Sequence, residues 1–227
     1  MSLILTKRLQ AAADFVRSGR KTADVGTDHG YLPAFLVLKG ITDCAIAADI
    51  GIGPLENARK TVEKYELEEN IQLILSDGLK NIPDDTQEII IAGMGGTLMA
   101  EILGAAEWIK NENIHLVLQP MTHSQDVRQF LCDNGFYIDA EKTVEDSGKV
   151  YIVLSAYYSG EKCRKDAYYY YFGDKINAES DTDIAYIKKQ CSYLSSRCKG
   201  LMQSGDTDKA QMYRDILEKA ETEGKQL

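Results

Sequence analysis

The 227-residue sequence contains few of the side chains that bind metals or form covalent cross-links. It has three histidines, and its five cysteines are an odd number with no C-x-x-C pair. A zinc site or a disulfide framework normally needs closely spaced or even-numbered cysteines. The sequence therefore predicts no metal site and no disulfide framework. Cys191 and Cys198 are expected to be small apolar residues where two helices meet.

A long hydrophobic run is also absent from the sequence. The first ten residues hold only a three-residue apolar stretch before two cations, and no later segment approaches the roughly 20 apolar residues of a transmembrane helix. With 44% hydrophobic and 27% charged residues, the composition is that of an ordinary globular protein. We therefore expect a cytoplasmic protein without a membrane partner.

Positive charge is not in excess overall, and a net charge of -9 normally argues against nucleic acid as a partner. The charge is, however, unevenly distributed. Residues 1–21 carry five cations and one anion, residues 22–160 carry nine cations and 22 anions, and residues 161–227 carry twelve of each. Residues 182–204 hold four cations against Asp183 alone, which predicts one locally basic helix.

Short apolar runs alternate with helical patterns over the first 134 residues. Nearly continuous apolar strands joined by helices are typical of a parallel sheet that is covered on both faces. The pattern predicts strands at 22–26, 43–50, 71–76, 88–92 and 115–119, and helices at 3–18, 31–39, 54–65, 97–110 and 124–134.

The pattern changes after Gly135. Two apolar runs, 136–144 and 150–158, flank a Glu-Asp-Ser-Gly-Lys turn and predict an antiparallel β-hairpin. A parallel α/β sheet that ends in such a hairpin is the arrangement of the class I methyltransferases, whereas plain dinucleotide-binding domains usually lack it. The predicted fold class is therefore α/β, with a Rossmann-like class I methyltransferase domain over residues 1–160.

Residues 161–227 are predicted to form a second, helical domain. Apolar residues recur at alternating spacings of three and four between Ile184 and Leu201, and again between Ala210 and Ala220, on either side of a Gly205-Asp206 break. This spacing predicts two antiparallel helices packed as a coiled-coil hairpin. The four tyrosines at 168–171 are interpreted as a hinge packed against the body of the protein, although tyrosines also stack on bases.

The segment from Thr22 to Pro33 has the pattern of a strand, a turn between glycines and a helix. A dinucleotide site has the pattern G-x-G-x-x-G, which lets backbone amides approach a pyrophosphate. Here Gly26 and Gly30 enclose Thr-Asp-His instead, and the Asp28 carboxylate would repel a diphosphate. The turn therefore favours a ligand without phosphate.

Acidic residues are also found in or after other predicted strands. Asp24 lies in the first strand, Asp49 near the end of the second, and Asp77 just after the third. Because the ligands of such sheets bind outside the carboxyl ends of the strands, these carboxylates are expected to line one crevice. S-adenosylmethionine fits that lining, since it has ribose hydroxyls and positive charge but no phosphate. A single Asp has the simpler interpretation of a helix or turn cap.

A second glycine-rich segment, Gly93-Met94-Gly95-Gly96, follows the fourth predicted strand. Glycines permit a ligand to approach the backbone closely, and the helix that begins after them offers free N–H groups. The fifth strand ends in Gln119-Pro120, where Gln119 is suited either to hydrogen-bond a base edge or only to finish the strand.

Several segments together resemble the bacterial tRNA (adenine-N1)-methyltransferases of the TrmK type. They are LTKRL (5–9), ADVGTDHGYLP (23–33), AADI with GPLENA (47–50 and 53–58), SDGL (76–79), IAGMGG (91–96), LQP (118–120) and EDSGKVYIV (145–153). The resemblance implies methylation of N1 of the adenine at tRNA position 22, in the D-arm. It also implies S-adenosylmethionine as the methyl donor and tRNA as the partner.

On these patterns and this resemblance, roles are assigned to individual residues. Asp28 and His29 are the candidate catalytic residues, expected to orient the base or to receive a proton from N6. Cofactor binding is expected of Asp24, Gly26, Asp28, Gly30, Tyr31, Asp49, Ile50, Asp77, Gly78 and Gly93. Substrate binding is expected of Lys7, Arg8, Met94, Gly95, Gly96, Gln119, Pro120, Lys188, Lys189, Arg197 and Lys199. No metal is expected, and the protein is expected to be a monomer or a weak homodimer.

Two alternatives remain open on the sequence alone. A small-molecule methyltransferase would share the acidic crevice but would need no basic appendage. A nicotinamide-dependent dehydrogenase, or a non-catalytic nucleotide-binding module, would bind NAD or nothing.

Overall fold

A central mixed sheet organises the molecule. The computed structural model describes residues 3–222, and within this range there are seven strands: β1 (Thr22–Val25), β2 (Ala45–Asp49), β3 (Ile71–Leu75), β4 (Glu88–Gly95), β5 (His115–Thr122), β6 (Phe136–Asp146) and β7 (Lys149–Tyr158). They are ordered β3-β2-β1-β4-β5-β7-β6. Strands β1 to β5 run parallel, and β7 pairs antiparallel with both β5 and β6. The predicted α/β methyltransferase sheet with a terminal antiparallel hairpin is confirmed.

Helices cover both faces of this sheet. In the same range they are α1 (Lys7–Ala13), α2 (Tyr31–Leu38), α3 (Ile52–Lys64), α4 (Gly96–Gly104), α5 (Ser124–Asp133), α6 (Ala167–Phe172), α7 (Asp181–Ser204) and α8 (Thr207–Thr222), with a 3-10 turn at Glu107–Ile109. Alternate residues of β4 point to opposite faces of the sheet. Ile90 packs in the apolar cluster with α1 and α2, and Ile89 and Ile91 pack in the apolar cluster with α4 and α5. None of the helices within residues 3–222 is long and apolar enough to cross a bilayer.

Several element boundaries differ from the sequence prediction, and three of them show the cause. Helix α1 covers Lys7–Ala13 and not 3–18, because Thr6 caps its start and the backbone bonds after Asp14 shorten to i→i-3. Strand β4 continues beyond Ala92 to Gly95, through a bulge at Gly93 with φ +85°. The helix predicted at 97–110 ends at Gly104, and a separate 3-10 turn follows it.

The C-terminal segment from residue 161 to residue 222, called the tail below, contains the predicted pair of antiparallel helices. Ser180 caps α7, and Gly205 ends it in the left-handed conformation with φ +84°. Ile187 and Leu194 of α7 are buried together with residues of α8 such as Tyr213. The helical hairpin is therefore present, whereas the supercoil of a coiled coil stays a prediction.

One continuous apolar cluster joins the sheet to the tail. It contains Phe136 and Ile152 of the sheet together with Phe172, Tyr186 and Leu194 of the tail. Two of the four consecutive tyrosines, at 168 and 171, are buried in the same cluster as part of α6. The helices thus use the sheet as half of their core, and the division at residue 160 stays a prediction.

A buried ion pair lies at the junction between the tail and the sheet. The Arg128 side chain of α5 is fully buried, and its Nε donates to Glu141 Oε1 of β6 at 2.6 Å. Its Nη1 donates to the carbonyls of Tyr170 and Tyr171, at 2.9 and 3.3 Å, and to the Tyr186 hydroxyl at 3.3 Å. Burial would lower the pKa of Arg128, but the Glu141 carboxylate more than offsets it, so the pKa lies above its ordinary value. One guanidinium thereby joins α5, α6 and α7 to β6.

A disulfide also joins this region and contradicts the sequence prediction for the cysteines. Cys132 of α5 is bonded to Cys163, which lies in the connection from β7 to α6. The two residues are 31 positions apart in sequence, so no local spacing indicated the pair. Cys44, Cys191 and Cys198 are free, and the last two pack as partly buried residues against the core, in the role predicted for them.

Removal of the Arg128 charge is expected to destabilise the protein strongly. Arg128→Met leaves Glu141 buried without its partner, which typically costs about 3 to 5 kcal/mol of unfolding free energy. Urea denaturation of Arg128→Met and wild type measures the difference. As a control, Lys142→Met removes the exposed pair with Asp14 and is expected to cost less than about 1 kcal/mol. Equal losses in the two variants would contradict the role given to Arg128.

Candidate active site

A crevice opens at the carboxyl ends of β1 and β4, where helices α1 and α2 begin. This is the edge of a parallel sheet at which ligands bind, because the strand order reverses between β1 and β4. The crevice has a volume of about 330 Å³. Its lining residues are Arg8, Leu9, Asp24, Gly26, Thr27, Asp28, His29, Gly30, Tyr31, Leu32, Ala92 and Gly93. Six of the ten predicted cofactor residues therefore meet in one cavity.

The turn between β1 and α2 depends on its two glycines. Gly26 has φ +83°, and a Cβ atom there would collide with the Met94 side chain that covers it. Gly30 caps α2 with φ +66°, and a Cβ atom there would lie 3.1 Å from the Ala58 side chain of α3. Both positions require a left-handed backbone and have close neighbours, which favours glycine. Both glycines line the crevice.

Asp24 is the buried carboxylate of the crevice, with a side chain that is 7% exposed. Burial raises its pKa to about 6, and the nearby Asp49 adds to this effect while Thr27 opposes it. Asp49 ends β2, and its Oδ1 accepts a hydrogen bond from the Gly51 N–H at 2.7 Å. The neighbouring Ile50 is exposed beside it. The crevice thus contains the buried Asp24 carboxylate, with the Arg8 guanidinium among its other lining residues.

Asp28 and His29, the candidate catalytic residues, stand at the exposed rim of the crevice. Asp28 Oδ2 lies 3.4 Å from His29 Nε2, and the two side chains are 74% and 44% exposed. The His29 ring stacks on Tyr31, with 5.2 Å between ring centroids. Side chains at an open rim can contact a large substrate that approaches from outside. Their catalytic roles stay predictions.

Asp77, which follows β3, lies in a neighbouring cavity, and Asp49, Ile50 and Gly78 are not among the lining residues of the crevice. The neighbouring cavity has a volume of about 400 Å³ and includes Leu98, Ile102 and Trp108 among its walls. The Asp77 carboxylate is paired with Lys80 Nζ at 2.5 Å. Gly78 has φ +59° and packs against Ile102. Asp24 and Asp28 thus line the crevice and Asp77 lines a neighbouring cavity, whereas the sequence predicted one crevice for these residues and Asp49.

Gln119 of β5 is fully buried, and its side chain forms hydrogen bonds within the protein. Its Oε1 accepts hydrogen bonds from Arg8 Nη1 at 2.8 Å and from the Gly93 N–H at 3.1 Å. Its Nε2 donates to the Pro120 carbonyl at 3.1 Å. Gln119 therefore holds the bulge of β4 and the Arg8 side chain against the crevice. Arg8, predicted to bind substrate, is engaged inside the protein by these contacts.

The remaining glycines allow the chain to pack closely at the start of α4. Gly95 is the N-cap of α4 and pairs with Thr122, and a Cβ atom at Gly96 would collide with the His123 carbonyl. Met94 extends over Gly26. This segment lies at the sheet edge beside the crevice, where the sequence analysis expected the substrate base.

Apart from Arg8, the predicted basic residues do not line the crevice. Lys188, Arg197 and Lys199 are exposed on α7, and Lys7 is exposed at the start of α1. Lys189 is held more firmly, because its Nζ donates to the Val150 carbonyl at 2.7 Å and lies over the Tyr151 ring. These residues provide a separate surface from the cofactor crevice.

Four lining residues of the crevice were missed by the sequence analysis: Leu9, Thr27, Leu32 and Ala92. Leu9 and Leu32 look like ordinary core residues in a helical pattern, and Ala92 like the end of a strand. Thr27 was recognisable only by its position between the two glycines. Within residues 3–222 no cluster of three or more His, Cys, Asp or Glu side chains is placed to hold a metal ion.

Comparisons with known proteins agree with this geometry. Residues 5–154 match the family model described as a methyltransferase domain. The tRNA (adenine(22)-N(1))-methyltransferase of Bacillus subtilis is 39% identical over 155 residues, which cover 68% of this chain and 65% of that protein. The match to this curated relative therefore spans slightly less than two thirds of its length.

Solved structures match over nearly the whole chain. A putative tRNA (m1A22) methyltransferase of Streptococcus pneumoniae, solved in complex with S-adenosyl-L-methionine, has 35% identity and a TM-score of 0.81, and covers 94% of this chain and 100% of its own. The B. subtilis m1A22 tRNA methyltransferase TrmK has 30% identity and a TM-score of 0.84, with 98% of both chains covered. The similarity thus includes the helical tail.

Neutralising Asp24 is expected to stabilise the protein when no ligand is bound. Its folded pKa of about 6 lies above the ordinary 3.8, so the buried carboxylate costs stability at neutral pH, and this cost disappears as the pH falls from about 6 toward 3.8. Asp24→Asn is therefore expected to raise the free energy of unfolding by about 2 to 3 kcal/mol at pH 7.5.

Urea denaturation at pH 7.5 measures this effect. Asp28→Asn is the matched control, since its side chain is exposed, and it is expected to change stability by less than about 0.5 kcal/mol. If Asp24→Asn were less stable than wild type at pH 7.5, the buried carboxylate would not carry the cost assigned to it.

Proposed function

The chain belongs to the family of bacterial tRNA (adenine-N1)-methyltransferases of the TrmK type, and on that premise we propose that it methylates N1 of adenine 22 in the D-arm of tRNA, with S-adenosylmethionine as the methyl donor. The observation that carries the proposal is the acidic crevice at the carboxyl ends of β1 and β4, with Asp24 buried in it. A relative with 35% identity was solved in complex with this cofactor.

The residues of the crevice fit a cationic nucleoside without phosphate. A buried carboxylate whose pKa is raised by burial gains from a positive ligand, because the ligand supplies a compensating charge next to it. Asp24 and Asp28 would face the ammonium and sulfonium groups. In this proposal Asp49, at the end of β2, binds the ribose hydroxyls, and Asp77 with Gly78, just after β3, contacts the adenine edge.

The bound cofactor supplies an electrophilic methyl group on sulfur. Adenine N1 carries an in-plane lone pair, so no strong general base is needed for its attack. The chain's own contribution is chiefly to hold N1 in line with the methyl group, and such positioning is worth roughly 7 to 11 kcal/mol in well-oriented reactions. Asp28 and His29, both exposed at the rim, orient the base or receive a proton from N6.

Adenine N1 is paired in a duplex, so the target nucleotide must be turned out of its helix or presented unpaired. The segment from Gly93 to Gly96 and the neighbouring Gln119-Pro120 form the receiving edge. Gln119 keeps this edge in shape through its bonds to Gly93 and Arg8. The Met94 side chain packs over Gly26. In this proposal it lies between the turn that joins β1 to α2 and the adenine base.

The tRNA body lies on the basic ends of the protein in this proposal. The exposed cations on α7, Lys188, Arg197 and Lys199, and Lys7 on α1, compensate for an overall charge of -9. Contacts of this type make affinity fall steeply with salt. The basic helix is the feature that favours tRNA over a small-molecule substrate. The proposal also includes a cytoplasmic location, where tRNA is found, and a monomer or weak homodimer.

Methyl transfer to tRNA tests the proposed reaction directly. The protein is incubated with labelled S-adenosylmethionine and unmodified tRNA, and the modified base is mapped. We expect one N1-methylated adenine at position 22, and no incorporation into the same tRNA with guanine at that position. Incorporation elsewhere, or none into any tRNA, would reject the proposed substrate.

Calorimetric titration tests the cofactor separately. S-adenosylmethionine is expected to bind and NAD is not, and Asp24→Asn is expected to weaken S-adenosylmethionine by about tenfold or more because the cation loses its buried partner. Binding of NAD without binding of S-adenosylmethionine would contradict the assignment of the crevice.

A further inference from the structure

A third cavity lies between the sheet and the helical tail, next to the end of β5. We call it the interdomain pocket; its volume is about 160 Å³, and its walls include Pro120, Met121, Tyr151, Ile152, Gln190 and Tyr193. Its walls are mostly apolar and aromatic. An apolar cavity of roughly 150 Å³ accommodates a benzene ring in other proteins, so this pocket has room for one flat ring system.

A wider cleft continues from the interdomain pocket toward the β6–β7 turn. We call it the lysine cleft; Met121, Thr122, Tyr151 and Lys189 line both cavities, and Lys149 lines only the cleft. Lys149 is the first residue of β7, and Lys189 of α7 lies with its Nζ 5.4 Å from the centre of the Tyr151 ring. Lysines from the sheet and from the tail therefore line the same cleft.

The two lysines bring positive charge that the protein does not neutralise. Burial lowers the pKa of Lys189, and the charge of Lys149 lowers it further, so the two ammonium groups repel each other. Among the described residues neither forms a salt bridge with a carboxylate, whereas Lys21, Lys80 and Lys142 each do. A pair of like charges kept together without a counter-charge is suited to an anionic ligand.

The lysine cleft is held in a fixed position relative to the active site. Asp146 of the same β6–β7 turn accepts a hydrogen bond from the backbone N–H of Arg8 at 3.3 Å, in the first turn of α1. The Arg8 guanidinium in turn donates to Gln119 Oε1. The turn EDSGK, predicted only as a hairpin turn and as part of a family motif, is thereby joined to the edge of the crevice.

The interdomain pocket also adjoins the segment proposed to receive the adenine. Its rim residue Thr122 pairs with Gly95, and the carbonyl of its rim residue His123 packs against Gly96. His123 has φ +53°, a left-handed conformation that costs energy for a residue with a side chain. The pocket and the methylation site are therefore neighbours along one edge of the sheet.

We propose that the lysine cleft and the interdomain pocket bind the nucleotide next to the methylated adenosine. Its phosphate lies between Lys149 and Lys189, and its base enters the pocket against Tyr151 and Tyr193. This inference rests on the proposed function, since it assigns a neighbouring subsite for the same RNA. A nucleotide beside a turned-out base loses a stacking partner, and aromatic side chains replace it.

Two variants test the phosphate and base contacts separately. Lys149→Ala is expected to lower the slope of log Kd for tRNA against log salt concentration by about 0.7 to 0.9, the loss of one phosphate contact. The matched control, Lys209→Ala, removes an exposed lysine of α8 that is paired with Asp206, and its slope is expected to equal that of wild type. Fluorescence titration with full-length tRNA at several salt concentrations measures these slopes.

Tyr193→Leu is expected to raise KM for tRNA about tenfold and to change kcat little, because a stacking contact is lost. Tyr193→Phe keeps the ring and is expected to behave like wild type, which separates stacking from a loss of the hydroxyl. S-adenosylmethionine affinity is expected to be unchanged in every variant. Circular dichroism melting confirms that each variant is folded before it is assayed.

The outcomes distinguish this inference from the proposed reaction. A wild-type protein that methylates adenine 22, with the wild-type salt slope in Lys149→Ala or the wild-type KM in Tyr193→Leu, would overturn the subsite and leave the reaction intact. A wild-type protein that binds tRNA with the expected slopes but methylates no adenine at position 22 would support the subsite and reject the reaction.

Discussion

The buried ion pair between Arg128 and Glu141 is the constraint on which the arrangement of the molecule depends. The guanidinium has no exposure to water, and a carboxylate of β6, two carbonyls of α6 and the hydroxyl of Tyr186 in α7 accept hydrogen bonds from its Nε and Nη1, while Nη2 has no partner among the described residues. Because these partners belong to different elements, α7 has a fixed position over the hairpin. Gly173 follows α6 at the point where a Cβ atom would collide with the Glu141 carboxylate. The interdomain pocket exists because α7 is held there.

Electrostatics divide the surface of this protein between two ligands of opposite charge. Carboxylates are concentrated around the ends of β1 and β2. The ionised Asp24 carboxylate lowers the stability of the folded protein at neutral pH, as its raised pKa indicates. Unpaired cations on α7 and at the β6–β7 turn lie beyond it. A cationic cofactor and a polyanionic RNA can approach one sheet edge together only if such charges are kept apart. Gln119 lies between the two regions and holds Arg8 and Gly93. The net charge of -9 conceals this separation.

Sequence reasoning was most reliable where a local pattern has one physical cause. Continuous apolar runs between helices predicted the parallel strands, and the turn at Gly205-Asp206 predicted the helical hairpin. The predictions were wrong where contacts between residues distant in sequence decide the structure. Strand β4 continues past Ala92 because β5 offers further pairing as far as Thr122. Asp77 lies in a neighbouring cavity because Leu98 and Ile102 of α4 form its walls. Cys132 and Cys163 are brought together only by the path of the chain after β7.

The sequence by itself determined the class of the fold, the acidic character of the crevice and the family, because spacing, charge and motif are local properties. The tertiary structure alone decided which of these residues line a ligand cavity and which form hydrogen bonds inside the protein. Gln119 and Arg8 looked like substrate contacts and are bonded to each other, since a buried amide must use its hydrogen-bonding capacity inside the fold. Lys149 and Tyr193 had no assigned role and line one continuous surface with Lys189. Proximity between residues more than 40 positions apart comes from packing, and no local pattern encodes it.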